Sequence, residues 1–500
     1  MGLVLYRFSE TVVDPDLGGH LKFGQLVWET GRIAMPDPFS YVTADRLWVN
    51  HEWLTEVIWY LAFALAGPAG LIGLKVSVGL LVHGLVYQHL RRQDVSRLRA
   101  SLVVLAMMHF FLITLITVRP LIVTYPLFLF VLLLIHKMAH GRIRWLWTAP
   151  VLFALWANLH PSFLAGLAVL GIWAAVEVVG RRLGVRRMDG QPVLSELAIL
   201  GILASSVLAT AANPYGVSLW GFLLKTATVP RPDITEWQPI VLMTRYGFSY
   251  FVLVALAIGG VFYSRRPRSP ALLAVLVSSA LLPFVAIRHT PLGALAIAVL
   301  GGEHMADAWE RCSAPREARH GGPGTSWLRG GLGGTALAGT ALLIVLSVPN
   351  FSCIRMSPTI GGSYPARAIA LIKDSGVRGN LAIDFDWGLY AIYHLGPGVK
   401  VSIDGRRETM YESGVYVESL EFMHGQGDWD AILKRHETDL ALVRNGLPAF
   451  NLMKLKPGWS LIYEDPLAGL FGRDGLPTVE KVRRTPVSTL PYDGAGLCFR

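Results

Sequence analysis

Two carboxylates flank a proline near the start of the chain, in Asp14-Pro15-Asp16. Proline fixes its own φ angle and keeps the preceding residue extended, so the two side chains stay close together. Such a pair can bind a divalent cation, or one carboxylate can act as a base while the other forms an ion pair. The alternative is that both residues only cap the helix that follows, and the local pattern leaves both interpretations open.

Other polar residues stand in short motifs between apolar segments, and their side chains can bind phosphate or sugar. Arginine holds phosphate with two parallel hydrogen bonds, while histidine, asparagine and carboxylate groups bond to sugar hydroxyls. A tryptophan beside a carboxylate offers a platform for a sugar ring, although it can equally anchor a helix at a membrane surface. The candidate substrate-binding residues are His20, Asp37, His51, Glu52, Arg119, Asn158, His160, Asn213, Glu236, Trp237, Arg288 and His289.

The composition indicates which elements must position these residues. Hydrophobic residues make up 53% of the 500 residues and charged residues only 16%, whereas soluble globular chains carry roughly 25% charged residues. Disordered, collagen-like and coiled-coil chains are excluded by the same composition, which indicates a polytopic membrane protein. About ten apolar runs approach the length of a membrane-spanning helix, and these are 71–90, 100–117, 120–138, 145–160, 162–180, 195–212, 248–264, 269–287, 290–302 and 330–348.

Basic residues cluster between these runs, so the net charge of +10 indicates membrane topology and not a nucleic-acid partner. The positive-inside rule places four basic loops in the cytoplasm, and two predicted spans separate each consecutive pair. These loops are 91–99, 137–144, 181–187 and 265–268. All the polar motifs then fall on the opposite face, where a shared site is expected. An arginine near the membrane surface can also extend its side chain to lipid headgroups without binding a substrate. This alternative to a shared site stays open.

Two segments near the N-terminus are shorter than a typical membrane-spanning helix. Residues 53–67 are apolar but contain Glu56 and end at Gly67-Pro68, after about 22 Å of helix. We expect an interfacial helix on the outer leaflet there, and a true membrane span is the alternative. Met1–Val13 is too short to span the membrane and lacks the apolar core of a signal peptide. We therefore expect a first helix upstream of Met1, and the alternative is that this segment only dips into the membrane.

From about residue 356 the composition changes to that of a soluble domain. Buried strands are predicted at 381–385 and 399–403, helices at 364–374 and 429–437, and a closing hairpin at 459–471, which together form a small α/β layer. Acidic and basic residues follow the strand ends, where α/β domains bind ligands. These residues are Asp384, Asp386, Asp404 and Arg406.

The turn Asp404-Gly405-Arg406 can alternatively be an ordinary turn with a surface ion pair. The three cysteines are odd in number and far apart, so the sequence predicts neither a metal site nor a disulfide framework from Cys312, Cys353 and Cys498. We expect this domain to cover the membrane site or to bind the acceptor.

Several of these motifs together resemble the GT-C superfamily of integral-membrane glycosyltransferases. The chain is similar to protein mannosyltransferases and lipid A aminoarabinose transferases and, more narrowly, to a widespread group of bacterial membrane proteins. The resemblance covers most of residues 10–300 and departs from the family in lacking the first helix. The motifs that carry it are DPDLGGHL, DPFSY, WVNHEWL, VRP, WANLHPSF, NPYG and IRH.

The resemblance implies a polyprenyl-phosphate sugar donor and an acidic residue of the first outer loop as general base. Carried over, Asp14 is the candidate base, and Asp16 is its partner or the ligand of a divalent cation such as Mg²⁺ or Mn²⁺. The expected function is transfer of a sugar to a glycan, lipid or protein acceptor outside the cytoplasm of a bacterium. A lipid-linked glycan polymerase or ligase, and a non-catalytic membrane scaffold that binds a partner through residues 349–500, are the alternatives.

The expected fold is an all-α polytopic membrane protein with about ten spans, a further helix upstream and an extracytoplasmic α/β domain. Its regions are a first outer loop with interfacial helices at 1–70, a transmembrane helical domain at 71–348 and the α/β domain at 349–500. The inner membrane is the expected location.

Overall fold

The computed structural model describes residues 1–33, 35–43, 46–111, 116–139, 145, 147–184, 194–232, 234–317, 325–357 and 363–499. Each of the ten predicted apolar runs contains a helix. The helices before the C-terminal domain are α1 Gly2–Ser9, α2 Leu17–Thr30, α3 Trp53–Arg92, α4 Arg97–His109, α5 Thr124–Ala139, α6 Thr148–Leu159, α7 Phe163–Arg182, α8 Glu196–Ala209, α9 Ser218–Ala227, α10 Arg245–Tyr263, α11 Pro270–Leu281, α12 Thr290–Ala296, α13 Gly302–Glu317 and α14 Thr325–Ser347.

Four helical segments within the described residues are long and apolar enough to cross a membrane: α3, Pro120–Ala139, α7 and α10. Four shorter apolar helices accompany them, at Thr148–Leu159, Glu196–Ala209, Pro270–Phe284 and Leu337–Ser352. The mainly helical architecture is therefore confirmed. The apolar helices are of the kind found in membrane proteins, and crossing by all ten runs stays a prediction. Arg142, Arg144, Arg186 and Arg187 of the predicted cytoplasmic loops lie outside the described residues.

Helix α3 is two helices joined at a sharp break. Gly67 has φ 56° and ψ −142°, a backbone conformation that favours glycine, and Pro68 follows it. A Cβ atom on Gly70 would lie 2.0 Å from the carbonyl oxygen of Ala62, so the chain folds back on itself here. The predicted end at Gly67-Pro68 is confirmed, and the interfacial position of the first part stays a prediction. The second part, Pro68–Arg92, is about 37 Å long, enough to span a bilayer.

Glycines allow the first outer loop to pack closely against its neighbours. A Cβ atom on Gly24 of α2 would lie 2.1 Å from the carbonyl oxygen of Glu56, so α2 crosses α3 at backbone contact. A Cβ atom on Gly19 would lie 2.5 Å from the Leu389 side chain of the C-terminal domain. Helix α2 is therefore held between the membrane helices and the C-terminal domain. Two short strands in the same loop, β1 Met35–Pro36 and β2 Leu47–Trp48, pair antiparallel.

The C-terminal domain contains a five-stranded mixed sheet in the order β4-β3-β5-β7-β6. Parallel pairing of β3 with β4 and β5 is followed by antiparallel pairing of β7 with β5 and β6. The predicted α/β layer and closing hairpin are confirmed, while β5 was not predicted. The strands are β3 Gly379–Ile383, β4 Val399–Val401, β5 Leu440–Arg444, β6 Trp459–Glu464 and β7 Ala468–Arg473, and the helices are α15 Ala366–Ser375, α16 Gly388–Leu395, α17 Arg407–Met410, α18 Ser413–His424, α19 Ala431–Arg435, α20 Pro448–Leu455 and α21 Pro477–Arg484.

The expectation that the cysteines form no disulfide is wrong. Cys353 and Cys498 are joined, which ties the end of the chain to the segment after α14. The pair is separated by 145 residues, so no local spacing pattern could reveal it. Cys312 is free and exposed.

Candidate active site at the outer helix ends

Arg119 connects the first outer loop to the loop before α10. It stands in extended conformation immediately before the turn Pro120–Val123, at the start of the helix that continues into α5. Its Nε donates to Oδ2 of Asp14 at 2.5 Å, and its Nη1 donates to Oε2 of Glu236 at 2.6 Å. The predicted VRP and DPD motifs therefore meet in one ion pair.

Glu236 bridges two arginines. Its Oε2 contacts Arg119, and its Oε1 lies 3.3 Å from Nη1 of Arg288, which follows α11 and its terminal turn. The Glu236 side chain is 36% exposed and that of Arg119 is 34% exposed. A carboxylate thus occupies the space between two guanidinium groups that face one another at a partly open surface.

Asp14 and Asp16 are in different environments although two residues apart. Asp14 is buried, and its Oδ1 accepts from the backbone N–H of Asp16 at 3.0 Å while Oδ2 is bound by Arg119. Asp16 is only partly buried by its neighbours, and its carboxylate accepts no hydrogen bond from any described residue. Burial, together with the charge of Asp14, raises the pKa of Asp16 to about 7. Asp16 also makes no side-chain hydrogen bond to the helix that follows, so the capping interpretation does not describe it.

A second group of polar side chains lies beside this pair of arginines. His20, Glu52 and Glu56 place one ligand atom each within 4.8 Å of one another, which a metal ion could use. His20 Nδ1 lies 2.8 Å from Oε1 of Glu56, whose Oε2 accepts from Asn50 at 2.5 Å. Asp16, predicted as the metal ligand, is not in this group.

The ligand atoms of His20, Glu52 and Glu56 determine which cation this group can hold. Burial opposes protonation of His20, but the hydrogen bond and charge of Glu56 raise the pKa of His20 to about 9. A protonated His20 supplies the positive charge between the two glutamates, so a metal ion must displace its proton. One nitrogen and two carboxylate ligands suit Mn²⁺ better than Mg²⁺, which prefers oxygen ligands alone.

Three predicted histidines line the same surface. His160 Nδ1 accepts from the backbone N–H of Ser162, so its Nε2 carries the proton directed at Oε1 of Glu52, 3.2 Å away. Burial lowers the pKa of His160 to about 4, which keeps this ring neutral. His51 Nε2 lies 3.8 Å from the same oxygen. Burial also lowers the pKa of His289 to about 4, with Arg288 adding to the effect.

Trp237 contacts two arginines. Its ring centroid lies 4.0 Å from the guanidinium carbon of Arg231 and 4.5 Å from that of Arg288. The ring therefore positions cations by cation–π contacts, and its role as a platform for sugar stays a prediction.

Three predicted substrate-binding residues have structural partners instead. Asp37 accepts two hydrogen bonds from Arg406, at 2.9 and 2.8 Å, and two more from backbone N–H groups. Asn158 donates to two backbone carbonyls and accepts from the indole N–H of Trp53, so both of its N–H donors are used. Asn213 closes the turn that follows α8 in the same way.

The turn Asp404-Gly405-Arg406 carries no surface ion pair, so that interpretation is wrong. Arg406 is only 5% exposed and bonds to Asp404 as well as to Asp37, and Tyr411 donates to Asp404 at 2.6 Å. This buried cluster joins the C-terminal domain to the first outer loop. A Cβ atom on Gly405 would lie 2.5 Å from Oδ1 of Asp16, so the domain covers that carboxylate as expected.

Sequence reasoning missed Glu56 and Asn50 as members of the site. Glu56 was interpreted only as a reason to keep its helix out of the membrane. Its position one turn after Glu52 was the available signal, since residues four apart lie on the same face of a helix. Asn50 gave no comparable signal.

Comparisons with known proteins support the fold. No model of a known protein family matches the chain, and no curated protein matches it. Among solved structures, the mycobacterial arabinofuranosyltransferase AftD is similar with a TM-score of 0.51 and 17% identity, covering 94% of this chain and 40% of that one. The oligosaccharyltransferase of Archaeoglobus fulgidus, tethered to an acceptor peptide, has a TM-score of 0.51 and 13% identity, covering 87% and 65%.

A third similar structure is ArnT of Cupriavidus metallidurans bound to undecaprenyl phosphate, with a TM-score of 0.49 and 13% identity over 96% of this chain and 97% of that one. The first two proteins are GT-C glycosyltransferases, so the fold expected from the resemblance is shown. This chain spans about two fifths of AftD and about two thirds of the oligosaccharyltransferase. Identities this low show a shared fold and leave the activity to be argued from the site.

Proposed function

We propose that this protein is a membrane glycosyltransferase that moves a sugar from a polyprenyl-phosphate donor to a hydroxyl group outside the cytoplasm. The observation that carries the proposal is the bridge of Glu236 between Arg119 and Arg288, next to a carboxylate with a raised pKa. A site of this kind combines an anion-binding fork with a base, the two parts that glycosyl transfer from a phosphate donor needs.

The Glu236 carboxylate stands in for the donor phosphate. A carboxylate and a phosphate each present a pair of oxygen atoms that accept hydrogen bonds from guanidinium N–H groups, so a phosphate can take the position of the carboxylate. Partial exposure of Glu236 lets it move aside when a donor arrives. The two arginines then stabilise the charge that develops on the phosphate as the sugar leaves.

The base role moves from Asp14 to Asp16 in this proposal. Asp14 is bound by Arg119 and by a backbone N–H, and that arrangement positions the arginine. Asp16 has a free carboxylate within the described part of the chain and a pKa of about 7, near the value at which a general base is most effective. Burial beneath Gly405 supplies the shift, and the same contact puts the C-terminal domain where an acceptor must approach.

The reaction balances without any further reactant. The acceptor hydroxyl transfers its proton to Asp16 and its oxygen forms the new bond to the anomeric carbon. The bond from that carbon to the phosphate oxygen breaks, and the electron pair stays on the polyprenyl phosphate. A divalent cation at His20, Glu52 and Glu56 would add positive charge near the phosphate when bound.

The disulfide supports an extracytoplasmic C-terminal domain. Disulfides persist in oxidising compartments and are rare in the bacterial cytosol. Cys353 and Cys498 both belong to this domain, and the domain packs on the candidate site. The disulfide and the basic loops support our proposal that the site lies on the outer face of a bacterial inner membrane.

The test is donor turnover by the full chain in proteoliposomes, with a panel of undecaprenyl-phosphate sugars and release of undecaprenyl phosphate as the readout. Asp16→Asn is expected to lower the rate about 10²–10⁴-fold, the usual contribution of a general base. Asp474→Asn, a change at an exposed acid of the C-terminal domain, is the matched control and keeps the wild-type rate.

Equal rates for Asp16→Asn and wild type would remove Asp16 from the mechanism. If the folded wild-type protein turns over no donor of the panel, the scaffold alternative gains support instead.

A further inference from the structure

A cavity of about 940 Å³ lies between α3, α5 and α6, at the end of the helices opposite the candidate active site. Its volume falls within the range of about 300–1,000 Å³ that is typical of ligand pockets. It is formed by the last turns of α3 and α5 and the first turns of α6, the ends that the positive-inside rule places in the cytoplasm.

The lining of the cavity changes from basic to apolar along the helix axes. Arg92 and Lys137, near the ends of α3 and α5, lie at one end. Leu85 and Phe130, about two turns deeper on the same helices, lie at the other, together with Leu155 of α6. The lining therefore matches a molecule with an anionic head and an apolar tail aligned with the membrane normal.

The apolar part of the cavity opens towards the surface that a bilayer covers. Phe130 is 43% exposed, Val151 70% and Leu155 48%, although all three lie in apolar helices. Because such exposed side chains contact lipid in a membrane, an occupant can enter sideways from the bilayer.

The charges around the cavity favour an anion. None of the described lining residues is acidic, and Arg92 has no ion-pair partner among the described residues. The Lys137 ammonium lies 4.6 Å from the ring centroid of Trp145, at the level where tryptophans meet headgroups. The Glu303 carboxylate lies 3.9 Å from the lining residue His136, and Arg266, 3.8 Å away, offsets its charge.

We propose that this cavity binds one anionic phospholipid of the cytoplasmic leaflet, with its phosphate at Arg92 and Lys137 and an acyl chain between α5 and α6. Anionic phospholipids are the phosphate-bearing amphiphiles that this leaflet supplies, and basic pockets between membrane helices hold their headgroups. The cavity is separate from the candidate active site, so the proposal of lipid binding does not depend on the proposed reaction.

The test uses the full chain in detergent, titrated with dioleoylphosphatidylglycerol or dioleoylphosphatidylcholine and followed by native mass spectrometry. We expect the anionic lipid to bind at least about tenfold more tightly, and the double variant Arg92→Gln/Lys137→Gln to weaken it about tenfold to thirtyfold. Arg97→Gln is the matched control, because this exposed arginine lies at the same end of the bundle outside the cavity.

A second variant, Leu152→Trp, fills the cavity without removing a charge and should abolish the retained lipid. Unchanged thermal stability confirms that each variant is folded. Equal affinity for both lipids, or unchanged binding in the double variant and in Leu152→Trp, would overturn the proposal. Displacement of the phospholipid by an equimolar amount of undecaprenyl phosphate would also overturn it, in favour of a polyprenyl site.

Discussion

Two arginine clusters connect the first outer loop to other parts of the chain, and they differ in exposure. Arg119 binds Asp14 and Glu236 with about a third of its side chain accessible. Arg406 binds Asp37 and Asp404 with only 5% accessible, and both of its partners are fully buried. In each cluster one arginine binds two carboxylates, and the motifs DPD and DPF look alike in sequence.

Exposure separates the roles of these clusters. A buried carboxylate whose oxygens are all bonded cannot release them to a ligand without a large desolvation cost, so Asp37 holds two domains together. Because Glu236 is partly exposed, its carboxylate can leave the two arginines and be solvated by water. The Arg119 cluster is therefore the one that can bind a donor phosphate. Of two similar acidic motifs, the one whose arginine partner is partly exposed to solvent can therefore bind a ligand.

The largest effect is expected from removing the buried arginine. Arg406→Ala leaves Asp37 and Asp404 buried without a counter-charge, which should cost about 3–5 kcal/mol in the free energy of unfolding. The matched control is Arg46→Ala, since Arg46 also joins the first loop to the C-terminal domain, at 3.6 Å from Glu412, but in an exposed pair. Its loss should cost less than about 1 kcal/mol.

Chemical denaturation of the purified chain, followed by tryptophan fluorescence, measures both changes. Similar small losses in the two variants would mean that the Arg406 cluster is not what holds the domains together, and the comparison of the two clusters would fail.

The open cluster should give the reaction a pH dependence. A base must be deprotonated to act, and the pKa of Asp16 is raised by burial to about 7. Turnover at saturating acceptor should therefore be constant above about pH 8 and fall about tenfold for each unit below pH 7. Stopped assays between pH 5 and 9 measure this, with the Asp474→Asn variant as control. A profile that is flat from pH 5 to 7 would contradict the role of Asp16.

A smaller effect is expected at Glu236. The change Glu236→Gln removes the carboxylate that competes with phosphate for Arg119 and Arg288 and keeps the size of the side chain. The inhibition constant of the product undecaprenyl phosphate should fall about tenfold, the effect of one charge-assisted hydrogen bond. Weaker inhibition by the product in Glu236→Gln would mean that Glu236 orients the arginines and does not occupy the phosphate position.

The helical part of the fold could be predicted because its signals are local. The apolar run 120–138 corresponds to Pro120–Ala139, and Gly67-Pro68 ends a helix as expected. Basic loops then placed Asp14, Arg119 and Arg288 on one face, and the structure brings these residues into one cluster.

The remaining features depend on contacts between distant parts of the chain. Asp37 lies 369 residues from Arg406, and nothing near either residue distinguishes Asp37 from Asp14. Asp14 binds Arg119 and Asp16 is left as the candidate base because Arg119 reaches only one of the two carboxylates. Packing decides which one it reaches, and the spacing of the two residues in the sequence does not. Strand β5 is a short buried run, which periodicity alone does not separate from a helix.

The most direct test of the proposed site is a cryo-EM map of the full chain in a nanodisc with undecaprenyl phosphate. If the proposed donor site is correct, phosphate density lies between the guanidinium groups of Arg119 and Arg288. The Glu236 side chain is then turned away, and Asp16 faces the open side of the phosphate. A bound phosphate elsewhere, with Glu236 still bridging the two arginines, would contradict it.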